Sequence, residues 1–303
     1  MKFIKWCSRI IVPVFFLLPV VDPSFVSAQI TTNTALPVTE GHGVIRTQFK
    51  VMQSRDDPTN SNRELLVHAV PVVGVYGVTK RLAAFGVFPI LDKGMALTVM
   101  DQRIKRSTTG LGEIRFFLRY DLFKIDEPGK TFRIASFAGL ETPTGRNRIS
   151  DSFGRIPAPL QPGSGSWDPF LGAVLTRQTL DWQLDVSSQY EFNTEADNFE
   201  FGDEYRFDAA FKYRIFPRPL KGGVPGFLYL NLESNVIRQG KNEQAGTANE
   251  HSGGTQWFLA PGVQFITLRF IIEGAVQLPL VQNLNGNALK NDFISTLSVR
   301  INI

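Results

Sequence analysis

"YRFDAAFKYRIF", residues 205–216, is the stretch that decides the fold. Tyr205, Phe207, Ala209, Phe211, Tyr213 and Ile215 share one parity, and Arg206, Asp208, Ala210, Lys212 and Arg214 share the other. A period of two belongs to an extended strand whose two faces differ in chemistry. The same alternation returns in "HGVIRTQFKVM" (42–52), "EIRFFLRYDLF" (113–123), "WQLDVSSQYEF" (182–192) and "FISTLSVRINI" (293–303). Less regular strands fit 65–77, 81–91, 131–143, 167–178, 227–238, 254–266 and 269–281. The total is about twelve, an even number as bacterial barrels require.

Strand length and connections indicate what surrounds these ribbons. Most are ten residues or longer, against about five or six for an ordinary globular strand. A tilted crossing of a bilayer needs about nine to eleven. Short connections at 78–81, 124–130, 177–181, 217–226 and 267–268 alternate with longer polar ones at 53–64, 92–109, 144–166, 193–204, 239–253 and 282–291. Short turns at one end and long loops at the other describe an outer-membrane barrel. Unpaired backbone groups are too costly in hydrocarbon, and a closed barrel leaves none. The expected fold is therefore all-β, a single antiparallel transmembrane β-barrel of about 12 strands over residues 42–303. Its Phe/Tyr/Leu faces look out to lipid and its ionic faces line a wet lumen. The competing reading is a soluble sheet with the same alternation turned inside out.

The only long apolar run is N-terminal. Lys2, Lys5 and Arg9 precede "IIVPVFFLLPVV" (10–21), and small residues at Val26 and Ala28 offer a cleavage site. Residues 1–28 read as an export signal removed after Ala28, with 29–41 as a short periplasmic lead-in. The single cysteine, Cys7, falls in the signal, so the mature chain has no disulfide. Mean hydropathy is −0.05, which excludes a bundle of membrane helices. Losing the signal lowers the formal charge from +4 to about +2, and no nucleic-acid role is expected. The expected location is the outer membrane of a Gram-negative bacterium. The last strand ends in Ile303, where such barrels usually show an aromatic residue to the barrel-assembly machinery, their partner during insertion.

Three stretches resemble a known family: "GLGEIRFFLRYDLF" (110–123), "GLETPTG" (139–145) and "PGSGSWDPFLGAVLTR" (162–177). They are similar to the MetA-pathway phenol-degradation family of outer-membrane transporters. There a "GxGD"-type strand start is followed by an "LPTG"-like strand end and a "GTGS"-like strand start. Here Glu113 stands where that family usually has Asp, and "ETPTG" replaces the commoner apolar-Pro-Thr-Gly. The resemblance implies a barrel that passes small hydrophobic or aromatic molecules by passive diffusion. It carries no catalytic or binding residue across.

Inward parity selects the candidate lumen-lining residues: Glu113, Arg115, Arg119, Asp121, Arg133, Asp185, Glu191, Arg206, Asp208, Lys212, Arg214, Glu233, Glu273 and Arg300, with Glu141 beside them. A pore for anions would be lined mainly by Arg and Lys, whereas these signs nearly balance. Cross-strand pairs bracing the interior are the expected arrangement, and a weakly selective channel is the alternative. A gap in the wall is expected, if anywhere, at "VVGVYG" (72–77) or "LAPGVQF" (259–265), since Gly and Pro weaken pairing. A plugged barrel with a structural or surface-interaction role is the alternative function.

The long loop 146–166 is expected to be mobile, with an inward constriction as the alternative. "EADNFEFGDE" (195–204) gathers carboxylates without the spacing of a calcium loop and reads as solvated surface. "DQRIKR" (101–106) puts Arg103, Lys105 and Arg106 in an outer loop, where they could meet lipopolysaccharide phosphates. An outer-membrane hydrolase needs a Ser, a His and an orienting residue. His42, His68 and His251 offer no such set unless His251 and Ser252 converge. Neither a cofactor nor a metal is expected.

Overall fold

The computed structural model describes residues 31–220 and 226–303. The expected signal segment 1–28 therefore lies outside the described residues. The wall begins with Gly43–Ser54 (β1), Glu64–Gly77 (β2), Leu82–Val99 (β3), Gln102–Leu111 (β4), Ile114–Glu127 (β5) and Lys130–Thr142 (β6). The next loop carries two-residue strands Ser150–Asp151 (β7) and Gly154–Arg155 (β8) and a 3-10 turn, Ala158–Leu160. The wall resumes with Asp168–Thr179 (β9) and Trp182–Glu191 (β10). Phe199–Glu200 (β11) lies in a loop, followed by wall strands Glu204–Phe216 (β12) and Phe227–Gln239 (β13). Glu243–Gln244 (β14) and Thr247–Ala248 (β15) are again in a loop, and Gly254–Ile266 (β16), Phe270–Leu284 (β17) and Phe293–Asn302 (β18) complete the circuit.

Each wall strand pairs antiparallel with its neighbours, and β1 joins both β2 and β18, so the sheet closes on itself. β4 and β5 share one wall position. β4 pairs with the outer half of β3, Ile90↔Leu111 to Val99↔Gln102, and β5 with its inner half, Leu82↔Tyr120 to Val87↔Arg115. The barrel thus has twelve strand positions. Among the described residues β4 has no strand partner on its other edge. At the short-turn end the backbones of Gly43 and Ile303 exchange hydrogen bonds of 2.8 and 2.9 Å.

The opening stretch settles which face meets lipid. Tyr205, Phe207, Phe211 and Tyr213 are exposed on the outer surface, while Asp208, Lys212 and Arg214 are buried inside. Leu118 and Tyr120 on β5, and Leu297 and Val299 on β18, likewise face out. A soluble sheet would bury these side chains, so the exposed apolar band marks a lipid-facing wall.

Two sequence expectations need correction. Residues 92–109 are not a loop: β3 and β4 form a long hairpin turning at Met100 and Asp101, with φ of 48° and 61°. Two successive positive φ values make the tight turn that suits strand twist. Arg103 and Lys105 consequently face outward from a strand, while Arg106 is buried and holds Asp151 at 2.8 Å. Nor is the lumen uniformly ionic. Val73, Ala83, Phe85, Val87, Phe117, Phe137, Phe170 and Val174 build an apolar cluster inside one half of the wall.

Candidate functional site: the occupied lumen

Described residues of the lead-in enter the barrel. The Glu233 carboxylate accepts hydrogen bonds from the Thr31 amide at 2.8 Å and the Thr32 hydroxyl at 3.1 Å, and also from the Thr31 hydroxyl. Further along, the Ala35 amide donates to Thr176 Oγ1 at 2.7 Å. On the opposite wall Arg119 donates to the Thr34 and Leu36 carbonyls at 2.6 and 2.5 Å. Residues 31–36 therefore run across the lumen from β13 to β5, with the Ala35 methyl inside the phenylalanine cluster. Sequence parity gave no sign of this, because a segment without regular structure has no period to read.

The interior is electrostatically paired. Arg115 bridges Glu141 and Glu191, and its guanidinium lies 4.8 Å from the centre of the Phe170 ring. Arg133 joins Asp121 at 3.0 Å and Asp126 at 2.7 Å. Arg206 meets Asp208 at 3.1 Å, and Asp208 also accepts from Asn235 at 2.8 Å. Lys212 donates to Gln264 at 2.9 Å, Gln264 donates to Glu273 at 2.6 Å, and Glu273 holds Arg46 at 2.7 Å. Arg214 caps the short-turn end through Asp181 at 2.6 Å. Asp185 accepts from Thr176 and, at 2.8 Å, from Gln183. Arg300 is half-buried opposite Arg46 in the β1–β18 register. Charges out of bulk water need such partners, since an unpaired one costs several kcal/mol, on the order given for buried ions.

Glu113 has a different role from its inward neighbours. It is half-buried at the junction between β4 and β5, where its carboxylate accepts from the Ser164 amide at 2.7 Å, the Ser164 hydroxyl at 2.6 Å and the Gly165 amide at 2.9 Å. Thr144 completes the junction: its hydroxyl donates to the Gly112 carbonyl at 3.1 Å and accepts from the Ile114 amide at 2.8 Å. Gly145 crosses Gly163 so closely that a Cβ on Gly145 would sit 2.7 Å from the Gly163 Cα. The three glycine-rich motifs of the sequence thus converge on one point, where they seal the break in the wall. Glu113, Glu141 and Asp168 bring carboxylate oxygens within 4.8 Å of one another. Ser164, Arg115 and Ser166 respectively engage them, which accounts for their proximity as a structural knot.

The wall is continuous at "VVGVYG", whose ladder to β3 runs unbroken from Glu64↔Ala96 to Gly77↔Ala83. At "LAPGVQF" the β17 ladder passes from Leu259↔Leu278 to Gly262↔Ala275, skipping Pro261, which has no amide hydrogen to donate. Loop 146–166 takes the inward arrangement expected as the alternative. Ile156 and Leu160 pack with Met52, Met95, Phe258 and Leu289, and Lys93 donates to the Gln161 carbonyl at 2.7 Å. Arg148 and Arg155 clamp Asp197 of the neighbouring loop, at 2.8 Å for both the Arg148 Nε and the Arg155 guanidinium. Arg148, then Arg155, hold the Asp197 carboxyl down at about 2. His251 and Ser252 turn apart: His251 Nδ1 lies 3.2 Å from the Asn287 amide, and Ser252 Oγ donates to the Asn249 carbonyl at 2.7 Å.

A closed, lipid-facing twelve-position barrel with a chain segment across its lumen defines a protein of the outer-membrane β-barrel class. The chain belongs to the family described as "Putative MetA-pathway of phenol degradation", whose model matches residues 63–280, well over half of it. It shares its fold with an outer membrane channel of Pseudomonas putida F1, with a TM-score of 0.67 and 15% identity over 89% of this chain and 98% of that one. The β domain of the Bordetella autotransporter BrkA gives a TM-score of 0.46 and 11% identity over 87% of this chain and 100% of that one. No curated protein sequence matches the chain.

Proposed function

We propose that this barrel is an outer-membrane channel passing small hydrophobic or aromatic molecules by passive diffusion, with residues 31–36 across the route at rest. The observation that carries this reading is a phenylalanine cluster inside the barrel. Strands β2, β3, β5, β6 and β9 turn Val73, Phe85, Val87, Phe117, Phe137 and Phe170 inward as one cluster, beside Arg115, Arg119 and Arg133 of the same strands, while β12, β13 and β17 turn in Lys212, Glu233 and Glu273. A channel for hydrated solutes gains nothing from a phenylalanine wall, whereas an apolar permeant recovers the hydrophobic free energy of leaving water there, about 25 cal/mol per Å². The family resemblance supplies the same substrate class. Lipid contacts the outer band, and the exposed Arg103 and Lys105 on β4 suit lipopolysaccharide phosphates.

The dense pairing of Arg115, Arg133 and Arg206 favours a second reading, a permanently filled scaffold. Planar bilayers and toluene uptake into vesicles separate the two. The channel reading expects uptake above that of empty vesicles, and larger conductance after deletion of residues 31–36. A heat-resistant folded barrel that shows neither would leave only the scaffold.

A further inference from the structure

Arg119 stands apart from the other buried guanidiniums. It makes no ion pair among the described residues, and its Nε has no hydrogen-bond partner among them, although the side chain is buried. Asp121, two residues along the same face, is engaged by Arg133. What Arg119 holds instead is the lead-in, through the neutral carbonyls of Thr34 and Leu36. Its guanidinium lies 5.0 Å from the centre of the Phe85 ring, which stacks on Phe117 at 4.3 Å and 12°. Phe117 in turn lies 6.0 Å from Phe137 and 5.8 Å from Phe170. Ala35, between the two carbonyls, packs into this cluster with no exposed surface.

Residues 34–36 thus present two oxygens to the fork of a guanidinium and an apolar group to a set of aromatic rings. A molecule with a carboxylate on an aromatic ring presents the same two features and adds a full negative charge. We propose that Arg119 and the Phe85–Phe117–Phe137–Phe170 cluster form a receptor for aromatic monocarboxylates, and that the bound acid replaces residues 34–36. This rests on the channel reading above and narrows its permeant class. A fork in which both partners are ionised is stronger than one in which only the guanidinium is, and planar two-point recognition is what arginine does best. The tethered segment competes at an effective concentration in the millimolar range, so the free acid acts at about millimolar concentration.

The test uses the folded barrel in vesicles with Ala35→Cys as a reporter and Cys7 absent, and follows the rate of maleimide labelling. Millimolar benzoate is expected to speed labelling about tenfold over benzyl alcohol, one decade in the population of the detached segment. Acetate, with the charge but no ring, is expected to act less than benzoate. Arg119→Gln removes the difference between benzoate and benzyl alcohol, and Arg119→Lys, which keeps charge without the fork, weakens it. Equal rates with benzoate and benzyl alcohol on the Arg119 barrel overturn the proposal whether or not the variants fold. Equal action of acetate and benzoate overturns the aromatic half. Toluene uptake measured in parallel keeps the two readings apart: uptake without benzoate discrimination sinks the receptor alone, and no uptake at all sinks the channel.

Discussion

Arg115→Met gives the most demanding test of how the interior is held together. Arg115 is 4% exposed and lies between Glu141 and Glu191, with the Phe170 ring at 4.8 Å. Removing one partner of a buried pair costs about 3–5 kcal/mol, because the remaining charge is stranded. Here two carboxylates lose the same guanidinium, and the lost cation–π contact adds about 0.5–2 kcal/mol. Added to the cost of breaking the pair, this gives an expected net loss of about 4–6 kcal/mol. Replacing the triad together, as Arg115→Met, Glu141→Leu and Glu191→Leu, leaves no stranded charge and should recover most of the loss, to within about 1–2 kcal/mol of the original. Urea titrations of the barrel in lipid vesicles, read by tryptophan fluorescence and by heat-modifiable migration in SDS gels, measure both variants. A single variant within about 1 kcal/mol of the parent, well below the cost of breaking a buried pair, would show that water reaches these groups and refute the paired interior.

Three further outcomes follow from the same geometry. Phe207→Arg, placed on the lipid face, should cost about 2–4 kcal/mol if near the bilayer midplane, and a folding yield in vesicles equal to the parent's would contradict the outward assignment. Gly145→Val forces a side chain against the Gly163 backbone, so it should loosen the junction and raise protease cleavage in 143–167; unchanged cleavage would mean the crossing is not needed. The Asp197 clamp depends on pH with a definite sign. Its carboxyl is held at about 2, below the unfolded value of about 3.9, so the linkage is fully present above about pH 4 and fades as pH falls toward 2. Cross-linking between loops 143–167 and 192–203 should follow that curve, and Asp197→Asn should abolish it at neutral pH; pH-independent cross-linking in the parent is the opposing result.

Outside the 92–109 hairpin, the strand positions, the even count and the outward face were legible because alternation is a local property. Each Phe or Tyr of 205–213 reports its own side of the sheet, and no distant residue alters that parity. The same signal fails where both faces carry apolar residues. Ala83, Phe85, Val87, Leu91, Met95 and Leu97 point inward on β3, yet Ala84, Phe88 and Ile90 lie on the opposite face, so no contrast marked the apolar wall. Inward parity offered Glu113 as a lumen-lining residue, but the partners that fix it at the junction, Ser164 and Gly165, sit some fifty residues away in the chain.

The chain's sequence by itself settled the period, the span and the direction in which oily side chains face, since all three follow from neighbours one and two residues apart. Only closure of the barrel decided what fills it: that residues 31–36 cross between Glu233 and Arg119, that three glycine motifs meet at one break, and that Arg119 makes no ion pair among the described residues. Those are encounters across the full circumference of the wall, fixed by shape and by the need of every buried polar group for a partner, and no short-range pattern encodes them.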